Sequence, residues 1–170
     1  MKIFITGIGG FLGHHIAVRM HELGHSVVGN DTYIGGEEDN VPSFAKFHLI
    51  DCCDYSAMKD AMIGCDIVYH CAATAHEGLS VFSPSFITRN IFEASVTTFS
   101  AAISAGVKRI VYCTSMARYG NQQAPFTEDM APAPVDPYGI AKVAGEEVLK
   151  VLGKVHGVEW NIAIPHNIVG

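Results

Sequence analysis

The chain has 170 residues, 49% of them apolar, and carries 11 Lys+Arg against 17 Asp+Glu, a net charge of −6. That length is one domain's worth and buries roughly 70% of the unfolded surface, so folding needs no disulfide or metal. The acidic balance argues against nucleic acid or an anionic membrane surface as partner, since both select basic patches. No apolar run reaches transmembrane length. The opening Met1–Gly7 meets glycine too early for a signal-peptide core, which reads as a cytosolic chain.

Short β-rich runs alternate with longer helical ones. Residues 2–6 read as a strand and 11–23 as an amphipathic helix closed by Gly24. Residues 26–30 form a second strand ending at Asp31, followed by a Gly- and acid-rich loop at 35–40. A strand at 46–50, a helix at 54–63 and a strand at 66–70 come next. A loop containing Pro84 leads into a long helix over 87–105, ended by Gly106. Residues 108–114 are a fifth strand. A Pro- and Ala-rich loop at 121–136 precedes a helix over 137–155, and 158–164 are a sixth strand. This alternation predicts right-handed βαβ units and a doubly wound parallel sheet in a three-layer α/β/α arrangement, one domain over 1–170.

Gly7, Gly10 and Gly13 form GxxGxxG where the first strand meets the first helix. The first glycine permits a tight turn, the second a close approach of pyrophosphate, and the third close helix–sheet packing. Gly9, Gly10, Phe11, Leu12 and Gly13 then supply backbone and a helix N-terminus to an anion. Their place in a βαβ pattern makes this a dinucleotide fingerprint. Asp31 ends the second strand, where a carboxylate accepts from ribose hydroxyls and repels a 2′-phosphate, favouring NAD over NADP. No Lys or Arg is adjacent to it in sequence. Asp51, with Cys52 beside it, is placed to reach the adenine edge, or else Asp51 is a turn or N-cap residue.

Tyr138 and Lys142 form YxxxK on a helix, four apart and so on one face. A free phenol titrates at about pH 10. A neighbouring ammonium and an oxidised nicotinamide would lower that and make Tyr138 a base for an alcohol proton. Ser115 follows the fifth strand, at the strand ends where open α/β sheets bind ligands. The five cysteines, 52, 53, 65, 71 and 113, have no CxxC spacing and read as reduced thiols. The nine histidines have no convincing metal-ligand spacing.

Four blocks, Thr6–Gly13, Asp66–Ala73 (DIVYHCAA), Val107–Gly120 (VKRIVYCTSMARYG) and Asp136–Glu146 (DPYGIAKVAGE), together resemble the extended short-chain dehydrogenase/reductase family acting on nucleotide sugars. The resemblance implies a Rossmann domain binding NAD, with Ser115, Tyr138 and Lys142 catalytic. It implies that Cys71, Ala72 and Ala73 line the cofactor, that Asn90 touches it and that Pro165 lies at its nicotinamide end. Asn167 matches a residue that touches the substrate diphosphate, in a UDP- or GDP-linked sugar. It further implies a homodimer through helices 87–105 and 137–155.

Two departures refine the expectation. Water-eliminating members place Asp-Glu after the Ser/Thr of the fifth strand, and 3,5-epimerases place Cys at the second position. Here those positions are Met116 and Ala117, which move no protons. That favours reversible oxidation at one sugar carbon, as in a 4-epimerase, with a dehydratase or reductase as the alternative. The resemblance also implies a smaller substrate domain past the sixth strand, which a chain ending at Gly170 is expected to be without. The expectation is cofactor binding with little turnover, or a non-catalytic NAD-binding module.

Overall fold

The computed structural model describes residues 1–169. Its strands are β1 (Lys2–Thr6), β2 (Ser26–Asp31), β3 (Lys46–Leu49), β4 (Ile67–His70), β5 (Arg109–Cys113) and β6 (Glu159–Ala163). They form one parallel sheet in the order β3-β2-β1-β4-β5-β6. The helices are α1 (Phe11–Glu22), α2 (Tyr55–Met62), α3 (Glu77–Phe82), α4 (Pro84–Thr88), α5 (Ala94–Ser104) and α6 (Pro137–His156). The chain leaves β1 in opposite directions toward β2 and β4, which opens a crevice at their C-terminal ends. Thr6 pairs in register with Asn30 on one side and His70 on the other. Gly7, Asp31 and Cys71 therefore gather at the carboxyl ends of β1, β2 and β4.

Side-chain alternation along β1 divides the core. Ile3 and Ile5 pack with Ile8, Ala17 and Val27 beneath α1. Phe4 faces the other way, with Val28, Val68, Ile110 and Tyr112, against Met58, Phe99 and Leu149 from α2, α5 and α6. Helices thus cover both faces, as the strand–helix alternation predicted. A third cluster joins Ile87 and Ile91 to Tyr138 and Ala141, so apolar packing anchors the tyrosine. Capping residues fix the helix that carries it. Asp136 accepts from the Gly139 amide at 2.8 Å, Pro137 opens the first turn, and Gly157 closes the helix at φ 69°. No helix among the described residues is long and apolar enough to cross a membrane.

The segment read as one helix over 87–105 is longer and interrupted. It starts at Pro84, and α4 and α5 are joined by a π turn over Arg89–Glu93. Such turns are rare insertions often found at functional sites, and this one carries Asn90. Residues 77–82, read as loop, form α3. Their Gly, Ser and Val content is poor for a helix, and packing against α4 and α6 overrides it.

Candidate active site

The turn after β1 requires its glycines. Gly7 has φ 70°, and a Cβ there would come within 2.9 Å of the Ala72 backbone. A Cβ on Gly13 would collide with the Gly7 carbonyl. Helix α1 opens at Gly10 with no side-chain cap and no acidic residue in its first turn. The first amides of a helix have no intrahelical acceptor, so those of Phe11 and Leu12 face outward with the positive end of the helix dipole. The Phe11 ring is exposed and lies edge-on against His15.

Asp31 has two tasks. Its Oδ1 accepts from the amides of Thr32 and Tyr33, each at 2.8 Å, and its Oδ2 accepts from Gly9 at 2.9 Å. An ionised oxygen has room for a second donor, and the residue lines the cavity at the crevice. The acid-rich loop closes over the glycine turn. Glu37 donates its amide to the Gly9 carbonyl at 3.0 Å, and Asn40 Nδ2 reaches the same oxygen at 3.3 Å. The Glu37 backbone and Asp31 Oδ2 both lie against Gly9, so the acid-rich loop passes close to Asp31, where a phosphate on the ribose would meet negative charge.

The cavity measures about 100 Å³. Gly7 and Gly10 form its floor, Asp31, Asp51 and Cys52 one wall, and Cys71, Ala72, Ala73 and Asn90 the other. Asp51 is a turn residue, accepting from the Cys53 amide at 2.8 Å, and it pairs with Arg89 at 2.9 Å. Burial pushes its carboxyl up, but the Cys53 amide and Arg89 outweigh that and hold it below the usual range. The N-cap of α2 is Asp54, not Asp51. Asn30 donates to Ile50 O and Cys52 Sγ, while its own Oδ1 is buried and unpartnered at the cavity. Burial pushes the Cys52 thiol up to about 11, so it is a neutral wall. Asn90 donates to Thr74 Oγ1 at 3.1 Å. A glycine floor, an uncapped helix start, a carboxylate with acceptor capacity and an orphaned amide oxygen together fit an adenine dinucleotide.

Two residues that the sequence reading left without a role tie the walls together. Thr6 Oγ1 accepts from the amides of Cys71 and Ala72 at 3.1 and 3.0 Å. Its proton therefore goes to His70 Nδ1, 2.8 Å away. That fixes the imidazole as the Nε2–H tautomer, donating to Ser95 Oγ at 2.9 Å. Ser95 in turn donates to Ile91 O within the π turn.

Ser115, Tyr138 and Lys142 are all buried. Ser115 accepts from the Ala117 amide at 3.1 Å and opens the short helical turn Met116–Tyr119. That turn is clamped to α6 by a buried ion pair, Arg118 to Glu146 at 3.3 Å, with Thr114 Oγ1 also donating to Glu146. Lys142 Nζ donates to the Cys113 carbonyl at 2.8 Å and lies 6.0 Å from the Tyr138 ring centroid. Burial lowers the ammonium to about 8. The expected lowering of the phenol is not what the geometry gives. Burial raises the Tyr138 pKa, hydrogen bonding with Ser115 opposes this, and the nearby Glu77 and Asp136 add to it.

Beyond β6, Thr114 and Met116 donate amides to Ala163 O and Pro165 O at 2.9 and 3.1 Å. Pro165 thus stands beside the Ser115 turn. Asn167 lines a second cleft with Tyr138, His76 and Glu77. The sequence reading missed His76 and Glu77, which lay in what it took for a loop. Cys71 and Cys113 bring their sulfurs to 3.7 Å as free thiols.

The model of the NAD dependent epimerase/dehydratase family matches residues 3–170. The chain is 31% identical to a UDP-glucose 4-epimerase of Mycolicibacterium smegmatis, over all of this chain and 57% of that protein. It is 34% identical to a GDP-mannose 3,5-epimerase of Oryza sativa subsp. japonica, over all of this chain and 47% of that one. The structure of a UDP-glucose 4-epimerase from Brucella ovis in complex with NAD superposes with a TM-score of 0.93 at 25% identity, covering 98% of this chain and 52% of that one. The chain spans about half the length of these relatives. With its parallel sheet, glycine turn and Ser–Tyr–Lys set, it belongs to the NAD dependent epimerase/dehydratase family.

Proposed function

We propose that this chain is the NAD-binding and catalytic half of a nucleotide-sugar 4-epimerase. One observation carries the reading: Ser115, Tyr138 and Lys142 are buried together at the ends of β5 and the start of α6, on the same sheet edge as the glycine turn. Gly7, Gly9, Gly10, Phe11, Leu12 and Gly13 would hold the pyrophosphate and Asp31 the adenosine ribose. Asp51, Cys52 and Asn30 would border the adenine, with Cys71, Ala72, Ala73, Asn90 and Pro165 toward the nicotinamide. NAD⁺ so held supplies a hydride acceptor that can return the hydride.

Tyr138, favoured as the phenolate by the positive charges of Lys142 and of the oxidised nicotinamide that would lie beside it, takes the proton of the sugar hydroxyl while Ser115 hydrogen-bonds the same oxygen. Lys142 completes the set from beneath, its ammonium anchored on Cys113 O. Return of the proton from Tyr138 completes either product. Ala117 packs against the Tyr138 cluster and has no group to exchange a carbon-bound proton. That supports epimerisation at one carbon over elimination. Asn167 would touch the substrate diphosphate, a UDP or GDP linkage, from the cleft it shares with Tyr138.

We also propose a homodimer. Ile140 and Val151 are exposed on α6, eleven residues and so about three turns apart on one face, and Phe86 is exposed on α4.

The test is conversion of UDP-glucose to UDP-galactose with NAD⁺ in D₂O. The reading predicts product without deuterium on carbon, and loss of turnover with retained NAD⁺ binding in Tyr138→Phe. A non-catalytic module would keep its output in that variant. Deuterium on carbon would call for a second acid/base, for which the cleft offers His76 and Glu77.

A further inference from the structure

We infer that Glu77 selects the sugar: the cleft over Tyr138 takes a neutral, hydroxyl-rich hexosyl group and rejects one bearing a carboxylate. The inference rests on the proposed nucleotide-sugar reading and deepens it. Glu77 stands in the first turn of α3, and its carboxylate is exposed in the cleft that also holds Tyr138, His76 and Asn167. Its position is fixed from behind, where Ser80 Oγ donates to the Glu77 carbonyl at 2.6 Å and α3 packs on α6.

The chemistry of the lining decides what fits. An ionised carboxylate only accepts hydrogen bonds, and sugar hydroxyls are donors. A sugar whose reacting carbon meets Tyr138 has its remaining hydroxyls within a ring's width, where Glu77 can accept from them. A hexuronate would place a second negative charge in the same space, and like charges within a few ångströms repel. Among the described residues, none that lines the cleft is Lys or Arg. The nearest buried cations are committed elsewhere, Lys142 to Cys113 O and Arg118 to Glu146. The field of Glu77 already reaches the reacting group, since it contributes to raising the Tyr138 phenol.

The experiment compares UDP-glucose with UDP-glucuronate, which differ in charge at C6, using the full-length protein that carries this chain, saturated with NAD⁺. The wild type is expected to process the neutral sugar with kcat/KM at least tenfold higher. Glu77→Gln keeps the shape and removes the charge, and should shrink that ratio to about threefold or less, chiefly through KM for the uronate. An unchanged ratio in Glu77→Gln, or a wild type without preference, overturns the inference and leaves the epimerase reading standing. Turnover of neither sugar by the full-length protein with NAD⁺ bound overturns both. Unfolding midpoints of the two proteins should coincide, because Glu77 is exposed.

Discussion

Thr6 Oγ1 and His70 Nδ1 lie 2.8 Å apart across β1 and β4, and this hydrogen bond starts a chain that runs through Ser95 to the Ile91 carbonyl in the π turn. Thr6→Val keeps the shape and removes the hydroxyl. It strands the amides of Cys71 and Ala72 and the acceptor of His70. Each buried unsatisfied group costs about 1–3 kcal/mol, so urea denaturation should show a loss of order 3 kcal/mol or more. Thr6→Ser should recover most of it.

Burial lowers the His70 imidazole to about 3. In the unfolded chain it returns to its ordinary value of about 6.5. Between those values the unfolded state holds a proton that the folded state does not, so stability falls as pH drops through that window, by up to about 1.4 kcal/mol per unit. Melting temperatures followed from pH 7 to 4 should show a shallower fall in His70→Asn than in the wild type.

Lys142 acts in the same sense at higher pH. Its folded pKa is lowered to about 8, against about 10.4 unfolded. Across that window the folded state has lost a proton that the unfolded state keeps, so this residue makes stability rise with pH from about 8 to about 10. In Lys142→Met the rise should vanish. Equal slopes in the two proteins would mean that the ammonium is not desolvated.

Arg118 and Glu146 form a buried pair beneath the Ser115 turn. Removing one partner of such a pair leaves an uncompensated buried charge and costs about 3–5 kcal/mol. Arg118→Met should therefore destabilise strongly by denaturant titration, and the double change Arg118→Met with Glu146→Leu should recover much of the loss.

The six strands, the glycine turn and the Tyr–Lys helix were legible because each rests on local chemistry: apolar strand runs, glycine at a positive φ, an Asp–Pro helix start. The hub at Thr6 and His70 was not, because its partners are 64 residues apart and only strand pairing brings them together. Helix α3 was hidden by poor intrinsic propensity, and with it Glu77 and His76. The π turn leaves no periodicity signal distinct from the helices on either side. The raised Tyr138 pKa escaped for another reason. A four-residue spacing puts Lys142 on the right face, but says nothing of the burial and the neighbouring Glu77 and Asp136 that raise the phenol.

The most direct test of the account is a calorimetric titration of the purified chain with NAD⁺ and, in parallel, NADP⁺. The carboxylates of Asp31 and of the loop over the glycine turn predict saturable NAD⁺ binding, NADP⁺ weaker by at least tenfold, and a narrower gap in Asp31→Asn. Equal affinity for the two would remove Asp31 from its assigned role, and binding of neither would contradict the account at its base.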